Sequence, residues 1–183
     1  MMKLGAKQLR VKKPTDEERA KVERKRIWIV LDNVMDTYNI GAIFRLADAV
    51  AAREVILCAG TEIPPSSRIH KAAVGTENWV AWRYFQSALE ALLNLKAKMP
   101  NLKIVVVEQD ERALDLFKLQ YRIPEDQPIA VVVGHETEGV SKEVLNLADV
   151  IVEIPMWGVN KSLNVMVSLG IVLYKILENQ EGR

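Results

Sequence analysis

Five short runs of this chain are apolar at nearly every position: Ile27 to Leu31, Glu54 to Cys58, Lys103 to Val107, Pro128 to Val133 and Val150 to Ile154. A strand with one wet face alternates apolar and polar residues, whereas a strand covered on both faces does not. The runs are too short for ordinary helices and rich in Val and Ile, so they read as buried strands. Helical segments lie between them. That alternation predicts an α/β fold, a mostly parallel sheet with helices on both faces.

The helices announce themselves by their starts. Thr15-Asp16-Glu17-Glu18, after Pro14, is a capping box and predicts a short helix. Asn39 is the expected cap of a second helix, with Ile40, Ile43, Phe44, Ala47 and Ala51 on the 3.6-residue period. A short helix is expected over Ser67 to Ala73, and a strand or extended segment over Trp79 to Phe85. Ser87-Ala88-Leu89-Glu90 is a second capping box, opening a helix to about Lys98. A short helix is expected near Arg112 to Phe117, and another capped by Ser141 and running to Leu147. The last is expected from Ser162 to Glu178, and it is apolar nearly all round, which requires cover on more than one side. No repeat or linker divides the chain. The expected organisation is a basic N-terminal arm with a short helix over 1–26, then one domain over 27–183.

At 183 residues, 49% hydrophobic and 27% charged, the chain has the size and composition of an ordinary globular domain. Its single cysteine, Cys58, lies in an apolar run and reads as a buried, inert thiol. No stretch is long and apolar enough to cross a bilayer, and the N-terminus lacks the apolar core of a signal peptide, so a cytoplasmic location is expected. Charge is uneven. Residues 1–30 hold about ten Lys or Arg against about four acids, roughly +6, while the rest carries roughly −5. A basic arm suits an RNA partner through phosphate contacts, although a solvated terminus accounts for the same charges.

Chemistry-bearing residues gather in three stretches: Asn39-Ile40-Gly41-Ala42-Ile43-Phe44-Arg45, Gly134-His135-Glu136-Thr137-Glu138-Gly139-Val140-Ser141, and Ile154-Pro155-Met156-Trp157-Gly158 running into Ser162-Leu163-Asn164-Val165. Each follows a strand, the place where ligands sit in open α/β sheets. There is no G-x-G-x-x-G, no Walker loop and no G-x-S-x-G elbow. The two histidines, His70 and His135, have no second ligand at metal-binding spacing, so no metal is expected. His70 reads as a surface residue and His135 as a loop residue with a backbone role. Taken singly, each candidate has a plain structural reading. Arg45 can pair with Asp48, and Asn39 and Ser162 can be helix caps. Glu136 can be a solvated carboxylate, and the Trp79, Trp82, Tyr84 and Phe85 cluster core or dimer surface.

Taken in order, the three stretches resemble the signature motifs of the SpoU (TrmH-like) RNA ribose methyltransferases of the SPOUT superfamily, over about Trp28 to Glu178. That resemblance implies a C-terminal trefoil knot, a homodimer, S-adenosylmethionine as cofactor and methylation of a ribose 2′-hydroxyl in RNA. Residue by residue it implies a catalytic set of Asn39, Arg45, Glu136, Ser162 and Asn164. It implies a cofactor pocket around Val107, Gly134, Gly139, Ile154, Met156 and Leu163. RNA contacts are expected at Lys12, Lys13, Arg45 and Lys71. Met166 departs from the small residue common in the family. Arg is a poor base, so Arg45 reads better as a group that binds the target phosphate and polarises the hydroxyl. Transfer RNA is expected over ribosomal RNA, because no separate N-terminal RNA-binding domain is visible. A catalytically silent RNA-binding factor and a base methyltransferase on a related scaffold are the rival readings.

Overall fold

The computed structural model describes residues 13–118, 124 and 126–181. Among these residues seven strands form one sheet: β1 (Ile27–Asp32), β2 (Glu54–Cys58), β3 (Trp82–Phe85), β4 (Lys103–Val107), β5 (Leu114–Asp115), β6 (Ile129–Gly134) and β7 (Val150–Glu153). Their order is β3-β2-β1-β6-β4-β7-β5, and every neighbouring pair is parallel. Among the described residues six α-helices accompany them: α1 (Asp16–Ala20), α2 (Thr37–Ala49), α3 (Ser67–Ala73), α4 (Ala88–Lys98), α5 (Lys142–Leu147) and α6 (Val165–Glu181).

The apolar strands do what their lack of alternation predicts. Ile27, Ile29 and Leu31 of β1, with Val131 and Val133 of β6, face one layer made with α2, α3 and α6. Trp28, Val30, Ala130 and Val132 face a second layer made with α4 and α5. Two cores thus sit back to back on one sheet, and β1 and β6 are buried along their whole length.

Tertiary contacts shift several local features. α2 begins at Thr37, not beyond Asn39, because the Asp36 carboxylate accepts the Tyr38 amide and takes the cap role. Asn39 therefore lies inside the helix, buried. Ser141 stands at the N-cap of α5, but its hydroxyl donates to Asp32 at 2.7 Å instead of capping. α6 starts at Val165, later than Ser162, with the Asn164 side chain accepting the amides of Met166 (3.0 Å) and Val167 (3.4 Å). No α-helix forms near Arg112 to Phe117. Leu114 and Asp115 instead pair with Val152 and Glu153 at the sheet edge, and a 3-10 turn follows over Leu116–Lys118. Thr15 and Ser87 cap as their motifs predict.

The aromatic cluster is structural. The Trp79 indole donates to Asp48, which also takes a bond from Arg24, and the Tyr84 hydroxyl donates to the Ala59 carbonyl. Trp82 and Phe85 lie against the two cores. His70 is more than a surface residue, since its Nδ1 lies 2.6 Å from the carboxylate of buried Glu77. Residues 1–12, including most of the basic arm, lie outside the described residues. Among those described, no helix is long and apolar enough to cross a membrane.

Burial, then the nearby charges of Asp32 and Glu90, push the Cys58 thiol up to about 12. A thiol held so far above its ordinary value has almost no thiolate at neutral pH. Native protein at pH 8 is expected to resist alkylation by iodoacetamide and to label at one site once unfolded. Fast labelling of the native chain would contradict this burial.

Candidate functional site

A cleft of about 560 Å³ opens beyond the carboxyl ends of three adjacent strands, β6, β4 and β7. Its walls carry Val107, Gly134, Gly139, Ile154, Met156 and Leu163, all six of the residues expected to form a cofactor pocket. Glu136, Ser162 and Asn164 line it as well. The parallel sheet causes this convergence, because every strand delivers its exit loop to the same edge.

The second sequence stretch is a tight loop with its own logic. The backbone of His135 and Gly139 bonds in both directions, at 3.0 and 2.9 Å. His135 Nδ1 accepts the amides of Thr137 and Glu138, which is the expected backbone role. Gly139 has φ +73°, a conformation that L side chains rarely adopt. A Cβ on Gly134 would sit 2.3 Å from the Gly139 carbonyl, and one on Gly139 would sit 2.4 Å from Glu108. Gly134 lets backbone close on backbone, and Gly139 leaves room for the Glu108 carboxylate.

One hydrogen-bonded chain ties the three stretches together. The Glu136 carboxylate accepts the amides of Met35 (3.1 Å) and Asp36 (3.0 Å) and the side-chain amide of Asn39 (3.0 Å). Asn39 in turn accepts from the Asn164 side chain at 2.9 Å, and Asn164 caps α6. Partial burial pulls the Glu136 pKa up. The bonds from Asn39, Met35 and Asp36 outweigh it and hold the carboxyl below its ordinary value. Two further latches flank this chain. Asp32 accepts the Ser141 amide and hydroxyl, and Glu108 accepts the Val140 amide at 2.9 Å.

Other expected residues stand elsewhere. Arg45 lies exposed on α2, outside the cleft walls, and has no hydrogen-bond or ion-pair partner among the described residues. It does not pair with Asp48, which is engaged by Arg24 and Trp79. Lys13 and Lys71 are exposed, and Lys12 lies outside the described residues. The Ser162 hydroxyl faces the cleft with no partner among the described residues.

Sequence reasoning missed Glu108, Gln109, Glu153, Asn160, Lys161 and Ser168, which also line the cleft. The resemblance that points to Val107 does not extend to Glu108 and Gln109, but the place of both directly after β4 is a signal that could have found them. Among the described residues no cluster of three or more potential ligands could hold a metal ion.

Comparison with known proteins gives concordant matches. The profile of the SpoU rRNA Methylase family covers residues 26–174. The tRNA (guanosine(18)-2′-O)-methyltransferase of Escherichia coli K12 is 31% identical over 157 residues, which are 84% of this chain and 64% of that enzyme. A 23S rRNA (guanosine-2′-O-)-methyltransferase of Ralstonia nicotianae is 30% identical over 87% of this chain and 61% of its own length. The chain thus spans just under two thirds of these curated relatives. The crystal structure of the A. aeolicus TrmH/SpoU tRNA modifying enzyme superposes with a TM-score of 0.76 at 28% identity, over 97% of this chain and 83% of that one.

Asn39→Ala removes a bond to a charged carboxylate and strands the Asn164 amide. The expected cost is about 2–3 kcal/mol, a fall in Tm of roughly 4–12 °C for a chain of this size. Because folding favours ionised Glu136, its stabilisation is complete above the ordinary carboxyl value near about 4.3 and fades as pH falls through the lowered value. Thermal melts from pH 7 down to about 3 should therefore show the variant losing less stability on acidification than the parent. An unchanged Tm would show that the chain of bonds carries no load.

Proposed function

The chain belongs to the SpoU rRNA Methylase family, and on that premise we propose that it methylates a ribose 2′-hydroxyl in RNA, with S-adenosylmethionine as methyl donor. The observation that carries the reading is the convergence of all six expected pocket residues on one cleft, joined to Asn39 through Glu136 and Asn164. The cleft fits the donor. Its volume lies in the range of small-molecule sites. Val107, Ile154, Met156 and Leu163 offer apolar surface beside exposed strand ends for an adenine, and Glu108 and Glu153 offer negative charge to a cationic sulfonium and ammonium.

S-adenosylmethionine supplies an electrophilic methyl group when bound. The residues of this chain divide the remaining work. Glu136 already accepts three hydrogen bonds and holds its proton weakly, so it makes a poor base and a good clamp. Asn39 is spent on Glu136 and Asn164, and Asn164 on Asn39 and the first amides of α6. They act as positioning residues that fix the loop at Gly134–Gly139 against the start of α6. Ser162 keeps a free hydroxyl on the cleft wall to meet donor or ribose. Arg45, exposed and without a partner among the described residues, is suited to bind the target phosphate and stabilise the developing alkoxide as a fixed positive fork. Lys13 and Lys71 add phosphate contacts that position RNA without reading it.

Transfer RNA is the substrate we favour, in line with the E. coli relative, and ribosomal RNA is the second reading, in line with the Ralstonia relative. We also carry over a cytoplasmic location and the trefoil threading of the C-terminal segment. A homodimer completes the reading. Leu169, Val172, Leu173 and Ile176 of α6 are fully buried in this chain, while Val167, Ile171 and Tyr174 form an exposed stripe at helical spacing. A partner subunit is the simplest cover for that stripe.

Incubation of the protein with labelled S-adenosylmethionine and unmodified tRNA or rRNA transcripts, followed by nuclease digestion and mass spectrometry, tests the activity. A 2′-O-methyl nucleotide supports it, and methyl on a base, or none on either RNA, overturns it. Arg45→Ala is expected to reduce transfer at least a hundredfold with unchanged donor affinity by calorimetry. Near-parental turnover would reduce Arg45 to a surface residue. Light scattering at low micromolar concentration should give twice the 20.7 kDa chain mass, and an active monomer would refute the dimer.

A further inference from the structure

The loop between β7 and α6 serves two surfaces at once. Met156, Lys161, Ser162 and Leu163 line the cleft, but Trp157 between them turns outward and is 86% exposed. Its ring stacks on Phe117, with centroids 6.2 Å apart and planes inclined by 22°. Phe117, itself 57% exposed, belongs to the turn that follows edge strand β5. The other tryptophans are occupied: Trp28 is buried, Trp79 bonds Asp48, and Trp82 lies against the core. Trp157 thus spends one face on Phe117 and offers the other to solvent.

Resting on the RNA methyl-transfer reading above, we propose that the Trp157–Phe117 stack is a platform for a nucleobase of the RNA substrate, next to the nucleotide whose ribose enters the cleft. The chemistry around the stack selects this occupant. Lys161 stands on the cleft wall with an ammonium that has no partner among the described residues. Lys118, adjacent to Phe117, has a side chain 84% exposed and among the described residues pairs only with Asp115, at 3.4 Å. A cation on each of the two segments that carry the stack matches a base and its phosphates, since stacking is tolerant of sequence and the charges track the backbone. Along the loop Trp157 is followed by Gly158, Val159, Asn160, Lys161 and Ser162, so the fully exposed aliphatic side chain there, Val159, stands among small and polar residues rather than in a broad aliphatic surround for a protein partner. That kind of surface lies instead on α6, at Val167, Ile171 and Tyr174. The platform holds RNA in place and takes no part in proton or methyl transfer.

The test compares parent, Trp157→Ala, Phe117→Ala and Trp157→Phe with an unmodified tRNA transcript. Trp157→Ala is expected to raise the RNA KM and the Kd by filter binding about tenfold, with kcat at saturating RNA and S-adenosylmethionine affinity unchanged. Phe117→Ala should show a smaller rise and Trp157→Phe should restore most of the loss. In the parent, added tRNA should shield tryptophan fluorescence from acrylamide, and Trp157→Phe should abolish that shielding. An RNA Kd within twofold of the parent for Trp157→Ala, or shielding that persists in Trp157→Phe, overturns the platform. So does conversion of Trp157→Ala to a monomer by light scattering, which would make the stack a subunit contact. Should the parent bind tRNA with Trp157 shielded yet methylate no RNA, the methyl-transfer reading fails while the platform stands.

Discussion

The cleft depends on one side chain that bonds in two directions. Asn39 donates to Glu136, 97 positions away in sequence, and accepts from Asn164, 125 positions away. Through Glu136 it reaches the amides of Met35 and Asp36, and through Asn164 the first turn of α6. Three strand exits that hydrophobic burial alone would leave loosely placed are thereby fixed to within a hydrogen-bond length. Buried as it is, Asn39 gains its full value only when both partners are present, because half a network leaves a buried polar group unpaired. Asp32 with Ser141 and Glu108 with Val140 repeat the device on either side, a strand-end carboxylate holding loop amides.

This arrangement separates two kinds of polar residue that look alike in sequence. Asn39, Glu136 and Asn164 have their bonding capacity committed to holding the loops. Among the described residues Arg45 and Ser162 keep theirs free, one exposed on α2 and the other on the cleft wall. A saturated carboxylate with a lowered pKa neither takes a proton readily nor moves toward a substrate, so its contribution is to shape. The free groups are the ones able to meet RNA and donor as charge develops during the transfer.

Much of this was legible in the sequence. The unalternating apolar runs gave the parallel sheet, because burial on both faces leaves no room for polar residues. The six cleft residues were implied by the resemblance to the SpoU motifs, and the parallel sheet is what brings them to one edge. What could not be read were contacts between distant residues. Asp36 rather than Asn39 caps α2, and Ser141 is diverted to Asp32, because side chains far away in sequence offer better partners than the local helix end. The Arg112 to Phe117 segment became an edge strand and 3-10 turn because the backbone of β7 was available to pair with it. Glu108 escaped notice although it follows Val107 directly, since its role rests on the close approach of Gly139.

The central claim is that Asn39 couples two loops that no other side-chain hydrogen bond joins among the described residues, and amide hydrogen exchange tests it without reference to activity. In Asn39→Ala the amides of Met35 and Asp36 and those of Met166 and Val167 should all lose protection together, by about tenfold or more. Unchanged protection at Met166 and Val167, with any loss confined to the turn around residue 39, would show that the cleft is held by packing alone and contradict the account.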